Sequence, residues 1–183
     1  MADDGPSAFG TESASPFALL ARLLADQADV VAGLTAEEYS ARPAGFPGGI
    51  GPQIRHCRDH VAAVVAGAES GRIDYESRRR GTTLETRRSE ALATLRDLEK
   101  RLLRLCTVDL ERPVRVVDRL DPMGGRLEFG STFGREIAFV VSHTTHHNAL
   151  IATMARALGQ AVPERFGFAA STISYLDRLA CAR

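Results

Sequence analysis

Five histidines fall in two short segments, Arg55-His56-Cys57-Arg58-Asp59-His60 and Ser142-His143-Thr144-Thr145-His146-His147-Asn148. Each segment carries an i, i+4 pair, His56 with His60 and His143 with His147. On a helix such a pair stands on one face about 6 Å apart along the axis, a separation two imidazoles can span to reach one ion. One pair alone reads as an ordinary hydrogen-bonded core feature, whereas two pairs on two helices point to a shared divalent cation. His147 falls in the middle of an apolar stripe, where an unpartnered imidazole would lose its water, so an ion on one ring nitrogen is the expected partner. His143 lies about 40° from it on a helical wheel, and His146 about 100° away, so His146 is expected to point elsewhere.

Three imidazoles without thiolate leave coordination positions open, which favours Zn or Ni and resembles catalytic more than closed structural sites. The di-metal carboxylate alternative needs Glu-x-x-His motifs on paired helices, and none is visible. Such an ion makes a thiol or water a nucleophile at neutral pH, with His60 as a candidate general base. A non-catalytic reading stands beside this one, in which the ion mainly stabilises the fold of a scaffold for binding or stress response. Arg55, Arg58 and His146 read as solvated surface groups rather than substrate contacts.

The elements that must position these rings follow from apolar periodicity. Ser15 and Pro16 mark the start of a first helix with a seam of Phe17, Leu20, Leu24, Val31 and Leu34. After a Pro- and Gly-rich turn at 42–49, a second helix spans Ile50 to about Ser70. It turns Ile50, Ile54, Val61, Val64, Val65 and Ala68 inward and Arg55, Arg58, Asp59 and Glu69 to water. Thr83 is expected to cap a third helix with the stripe Leu84, Ala91, Leu95, Leu98, Leu102 and Leu105. A hairpin with strands near Val114–Asp118 and Arg126–Phe129 precedes a fourth helix, capped by Ser131 or Thr132 and ended by Gly159. Its stripe is Phe133, Ile137, Val140, Thr144, His147, Ile151, Met154 and Leu158. The segment Pro163–Tyr175 caps the core or lines a pocket, and a short helix follows Ser171. The expected class is therefore all-α, a four-helix bundle with one β excursion.

Composition narrows the alternatives. The 183 residues suit one domain at 15–183, preceded by an aperiodic, disordered leader at 1–14. Lys plus Arg equals Asp plus Glu at 23 each, so no net field draws nucleic acid. No apolar run is long enough for a membrane span, and the chain reads as cytoplasmic. Cys57, Cys106 and Cys181 lack the spacing of metal or redox motifs and read as buried apolar residues or surface thiols.

The element order, the segment Ile50-Gly51-Pro52-Gln53-Ile54-Arg55-His56, and the segment from Arg135-Glu136 through His143 to Asn148, with Leu150 and Gly159 beyond, resemble the DinB-like superfamily with its YfiT-type relatives. The resemblance covers nearly all of the chain after residue 14. It implies a four-helix bundle, a three-histidine divalent metal site at His56, His143 and His147, and a homodimer. Relatives include transferases and isomerases dependent on bacillithiol or mycothiol, which implies a small-molecule substrate and a low-molecular-weight thiol. Relatives often carry an acidic or other polar residue at the position of His60, so its role as ligand, supporting partner or proton relay stays open.

Overall fold

The structure, a computed structural model, describes residues 15–78 and 80–182. The expected leader lies outside the described residues. Among the described residues the protein is mostly helical, with six helices and a small sheet: α1 (Pro16–Gly33), α2 (Ala36–Ser40), α3 (Ile50–Ser70), β1 (Arg72–Asp74), α4 (Arg88–Leu103), β2 (Pro113–Asp118), β3 (Leu127–Thr132), α5 (Phe133–Ala157) and α6 (Ala170–Cys181). Among the described residues no helix is long and apolar enough to cross a membrane. The three cysteines are free, Cys57 buried and Cys106 and Cys181 exposed.

The four long helices pack in a closed cycle, α1 and α3 each against both α4 and α5. Their three-four apolar spacing forces this, because each carries one stripe that must leave water. The expected seam of α1 is buried throughout: Phe17, Leu20, Leu24, Val31 and Leu34 are at most 2% exposed. So are Ile54, Val61 and Val64 on α3, Ala91, Leu95, Leu98 and Leu102 on α4, and Phe133, Ile137, Val140 and Ile151 on α5. Thr132 caps α5 by accepting a hydrogen bond from the Arg135 amide, as its residue type predicts. Inside this apolar layer one polar contact joins α1 to α5: Gln27 Nε2 donates to Asn148 Oδ1 at 2.6 Å, both side chains fully buried.

Four expectations need correction. The short helix α2, opened by a capping box between Thr35 and Glu38, stands between α1 and the Pro- and Gly-rich turn, where the apolar periodicity predicts no element. Thr83 begins a 3-10 turn over Thr83–Glu85, and the α-helix itself starts at Arg88. The hairpin of β2 and β3 is part of a three-stranded sheet, because β1 pairs parallel to β2 with Ile73 opposite Val116. Asp59, placed on the wet side of α3, is buried under the guanidinium groups of Arg55 and Arg58, which reach it at 3.4 and 2.9 Å.

Two glycines set how elements approach the site. A Cβ on Gly51 would overlap the carbonyl of Glu85, so the first turn of α3 lies directly against the 3-10 turn. Gly71 ends α3 in the left-handed conformation (φ 71°), which turns the chain at once into β1. That turn brings Tyr75 and Arg78 back beside the histidines of α3.

Candidate metal centre

The central turns of α3 and α5 face one another, and their histidines meet between them. His56 on α3 and His143 on α5 approach with their Nε2 atoms 2.9 Å apart. The ring of His147 lies 4.6 Å from that of His56 and 4.5 Å from that of His143, centre to centre. His60 stands 4.5 Å from His56 and 4.2 Å from His143 on the same measure. Four imidazoles therefore share one small volume. Ligand atoms of His56, His60 and His143 lie within 4.8 Å of one another, close enough to hold one metal ion.

The hydrogen bonds around the rings fix which nitrogens are free. His147 Nδ1 donates to Gln53 Oε1 at 2.6 Å, and His60 Nδ1 donates to the backbone carbonyl of His56 at 3.0 Å. Both rings therefore keep Nε2 as a lone-pair donor, the arrangement in which ligand histidines are held by a partner outside the coordination shell. His56, His143 and His147 are half-buried and His60 is buried. The stripe position assigned to His147 is thus wetter than its spacing suggests, and the core position beside it belongs to Asn148. His146 is exposed and turns away toward α1, as its wheel angle predicts.

Burial, which disfavours the charged ring, pushes His56 and His143 down to about 3 and His147 to about 4, with neighbouring histidines adding to the effect. His60 is also lowered, chiefly by burial. All four rings are therefore neutral at pH 7, the state in which imidazole binds a cation. Electrically neutral and half-open, this set of nitrogen donors can hold a metal ion.

Several supporting residues carry no recognisable signal in the sequence. Tyr75 stacks on His60 with ring centres 5.2 Å apart, and its hydroxyl donates to Glu136 Oε2 at 2.8 Å. Glu136, itself buried, also accepts from the Ser131 hydroxyl at 2.7 Å. Arg78 places Nη1 3.5 Å from His56 Nδ1. Gln53 is the exception: it lies one turn before His56 on the same helix face, a placement that spacing can reveal. Arg55 and Arg58 belong to a neighbouring polar pocket of about 440 Å³ with Asp59 and Thr83, outside the histidine cluster.

Residues 19–151 match the DinB superfamily. The chain belongs to that family. The matched span runs from α1 into α5 and includes all the histidines of the cluster. Over 107 residues the chain is 28% identical to a protein of Rhizopus delemar (strain RA 99-880) named FK506-binding protein 5. That match covers 58% of this chain and 28% of the relative, so the DinB-family chain corresponds to a minor part of that protein's length. No solved structure matches the chain.

On the far side of α5 a groove of about 920 Å³ runs between α1, α5 and the segment after Pro163. Phe166 is buried in its wall and Phe168 lines it, so that segment both covers the core and borders a cavity, while Tyr175 is exposed outside the lining.

Proposed function

We propose that this DinB-family protein binds one divalent metal ion between α3 and α5 and is a metal-dependent enzyme acting on a small molecule, with a low-molecular-weight thiol or water as nucleophile. The observation that carries the reading is the 2.9 Å approach of His56 Nε2 and His143 Nε2 with two further imidazoles around them. Two lone-pair nitrogens at that distance repel or share a proton, and a cation relieves the pair more fully. His56, His143 and His147 are the proposed ligands. His147 is chosen because Gln53 holds it across the helix interface.

When bound, such an ion acidifies a thiol or water and yields a nucleophile near neutral pH. His60, oriented by the His56 carbonyl and neutral through burial, is placed to take up the released proton at Nε2. Tyr75 stacks on that ring and limits its rotation. The half-buried rings of His56, His143 and His147 leave a path for a small substrate, while the aromatic wall of Tyr75 and Phe139 keeps bulk water from the inner side.

We further propose that α1, α3, α4 and α5 constitute the four-helix bundle of the resemblance and that the protein is a homodimer. The cyclic packing of these helices supports the first, and the exposed Tyr175, Leu176 and Leu179 along α6 support the second. Sedimentation equilibrium reads the second directly.

The deciding experiment is elemental analysis of the purified protein, followed by assays for consumption of low-molecular-weight thiols with electrophilic acceptors. One ion per chain, lost on chelation together with turnover, is the expected result. A protein that takes up no divalent metal sinks the reading. Full occupancy without turnover of thiol or water would leave the scaffold role.

A further inference from the structure

The environment of Arg78 suggests what the substrate must carry. Arg78 and Arg119 share a single carboxylate: Arg78 Nη2 donates to Glu76 Oε1 at 2.8 Å and Arg119 Nε to Glu76 Oε2 at 3.2 Å. Both oxygens of Glu76 are thereby engaged. Arg78 Nη1 has no carboxylate among the described residues and rests instead against His56 Nδ1 at 3.5 Å. In that contact the ring nitrogen must accept, which places the His56 proton on Nε2, toward His143.

A ring that gives Nε2 to a cation must carry its proton on Nδ1. The Nδ1–H of His56 and the Nη1–H of Arg78 then face each other as two donors, and the contact turns from attractive to repulsive. Both are satisfied together by one anionic oxygen set between them, and the planar guanidinium is shaped to bind a carboxylate. The position is reachable from solvent: the Arg78 side chain is 19% exposed and His56 is half-buried. The positive charge of Arg78 is felt at the cluster, where it contributes to keeping His56, His60 and His143 neutral.

We propose that Arg78, together with His56 Nδ1–H, recognises a carboxylate on the small-molecule ligand of the metal centre, so that the protein selects carboxylate-bearing thiols over uncharged ones. This rests on the metal reading of the preceding subsection. It assigns to Arg78 a specificity role, fixed by its contact with His56 and by the shared Glu76 carboxylate, which engages only one edge of its guanidinium.

The test is calorimetric binding of N-acetyl-L-cysteine and of N-acetyl-L-cysteine amide to zinc-loaded protein, with wild type, Arg78→Gln and Arg78→Lys compared at equal metal content. The ratio of acid to amide affinity should fall about tenfold in Arg78→Gln, the usual worth of one charged hydrogen bond, and fall less in Arg78→Lys. Raising salt should shrink the wild-type preference. An acid-to-amide ratio that is the same in wild type and Arg78→Gln overturns the proposal, as does a wild type that binds acid and amide alike, whether or not the variant folds. A wild type that takes up no divalent metal, zinc included, overturns the metal reading itself and this inference with it, and elemental analysis separates that outcome from the others.

Discussion

The Nδ1 atom of His147 on α5 lies 2.6 Å from Oε1 of Gln53 on α3, so one proposed ligand is oriented by the opposite helix. Removing that acceptor frees the ring to rotate and to change tautomer. Gln53→Ala should weaken metal binding by about 10- to 100-fold, whereas Gln53→Glu, which still accepts, should retain most of it. Competition against a chelator of known affinity reads both values, and equal affinity in Gln53→Ala and wild type would remove Gln53 from the site.

Which imidazole completes the set with His56 and His143 is decided by single substitutions. His147→Ala should empty the site, and His60→Ala should keep the metal while turnover drops by about 10²- to 10⁴-fold, the usual contribution of a general base. Metal content measured beside activity separates the roles. Retained metal in His147→Ala with loss in His60→Ala would reverse the two assignments, in line with the 4.8 Å grouping of His56, His60 and His143.

Acid should destabilise the metal-free protein in a particular window. His56, His143 and His147 sit below the ordinary 6.5 when folded, at about 3, 3 and 4. Below about 6.5 the unfolded chain therefore binds protons that the folded chain refuses, so stability is full above that pH and declines as pH falls toward the folded values. Glu38 and Glu76, lowered from 4.5, add to the loss only at more acid pH. Melting temperatures of chelated protein should thus already fall between pH 7 and 5, and the slope should be shallower in His143→Gln. A flat profile over that interval contradicts the assignment of half-buried rings held neutral.

Tyr75 and Glu136 support the inner side of the cluster. Tyr75→Phe deprives a buried carboxylate of one of its two hydroxyl donors and should cost about 1–3 kcal/mol in urea unfolding. Unchanged stability would show that Glu136 finds another donor.

Gly51→Ala brings a methyl group onto the Glu85 carbonyl and should cost about 1–3 kcal/mol by forcing α3 and the 3-10 turn apart. Because Glu85 in that turn pairs with Arg55, the part of the loss that comes from the ion pair should shrink as salt is raised in thermal unfolding. A variant as stable as wild type would mean the turn shifts freely.

The helices were legible because each seam is a direct image of burial: Phe17, Leu20 and Leu24 recur at the spacing that the packed stripe requires. The strand Arg72–Asp74 was not legible, since three residues have no period and a parallel partner more than forty positions away leaves no local mark. Asp59 was misplaced for a related reason: a wheel angle does not register two arginines folding over a carboxylate. Within the site, the i, i+4 pairs exposed the four imidazoles in advance. Tyr75, Arg78 and Glu136 escaped notice because the first two reach the cluster through a loop and the third through a partner in that loop.

The amide contact from Gln27 to Asn148 has a bearing on which of several similar packings the chain adopts. Leucine and valine stripes tolerate a slip of one helical turn, since one aliphatic knob resembles another. Two carboxamides do not, because a slip of α1 along α5 would leave both stranded in hydrocarbon. This pair therefore acts as a registration pin, and by locking the height of α5 it also sets the level at which His143 and His147 meet the opposite helix.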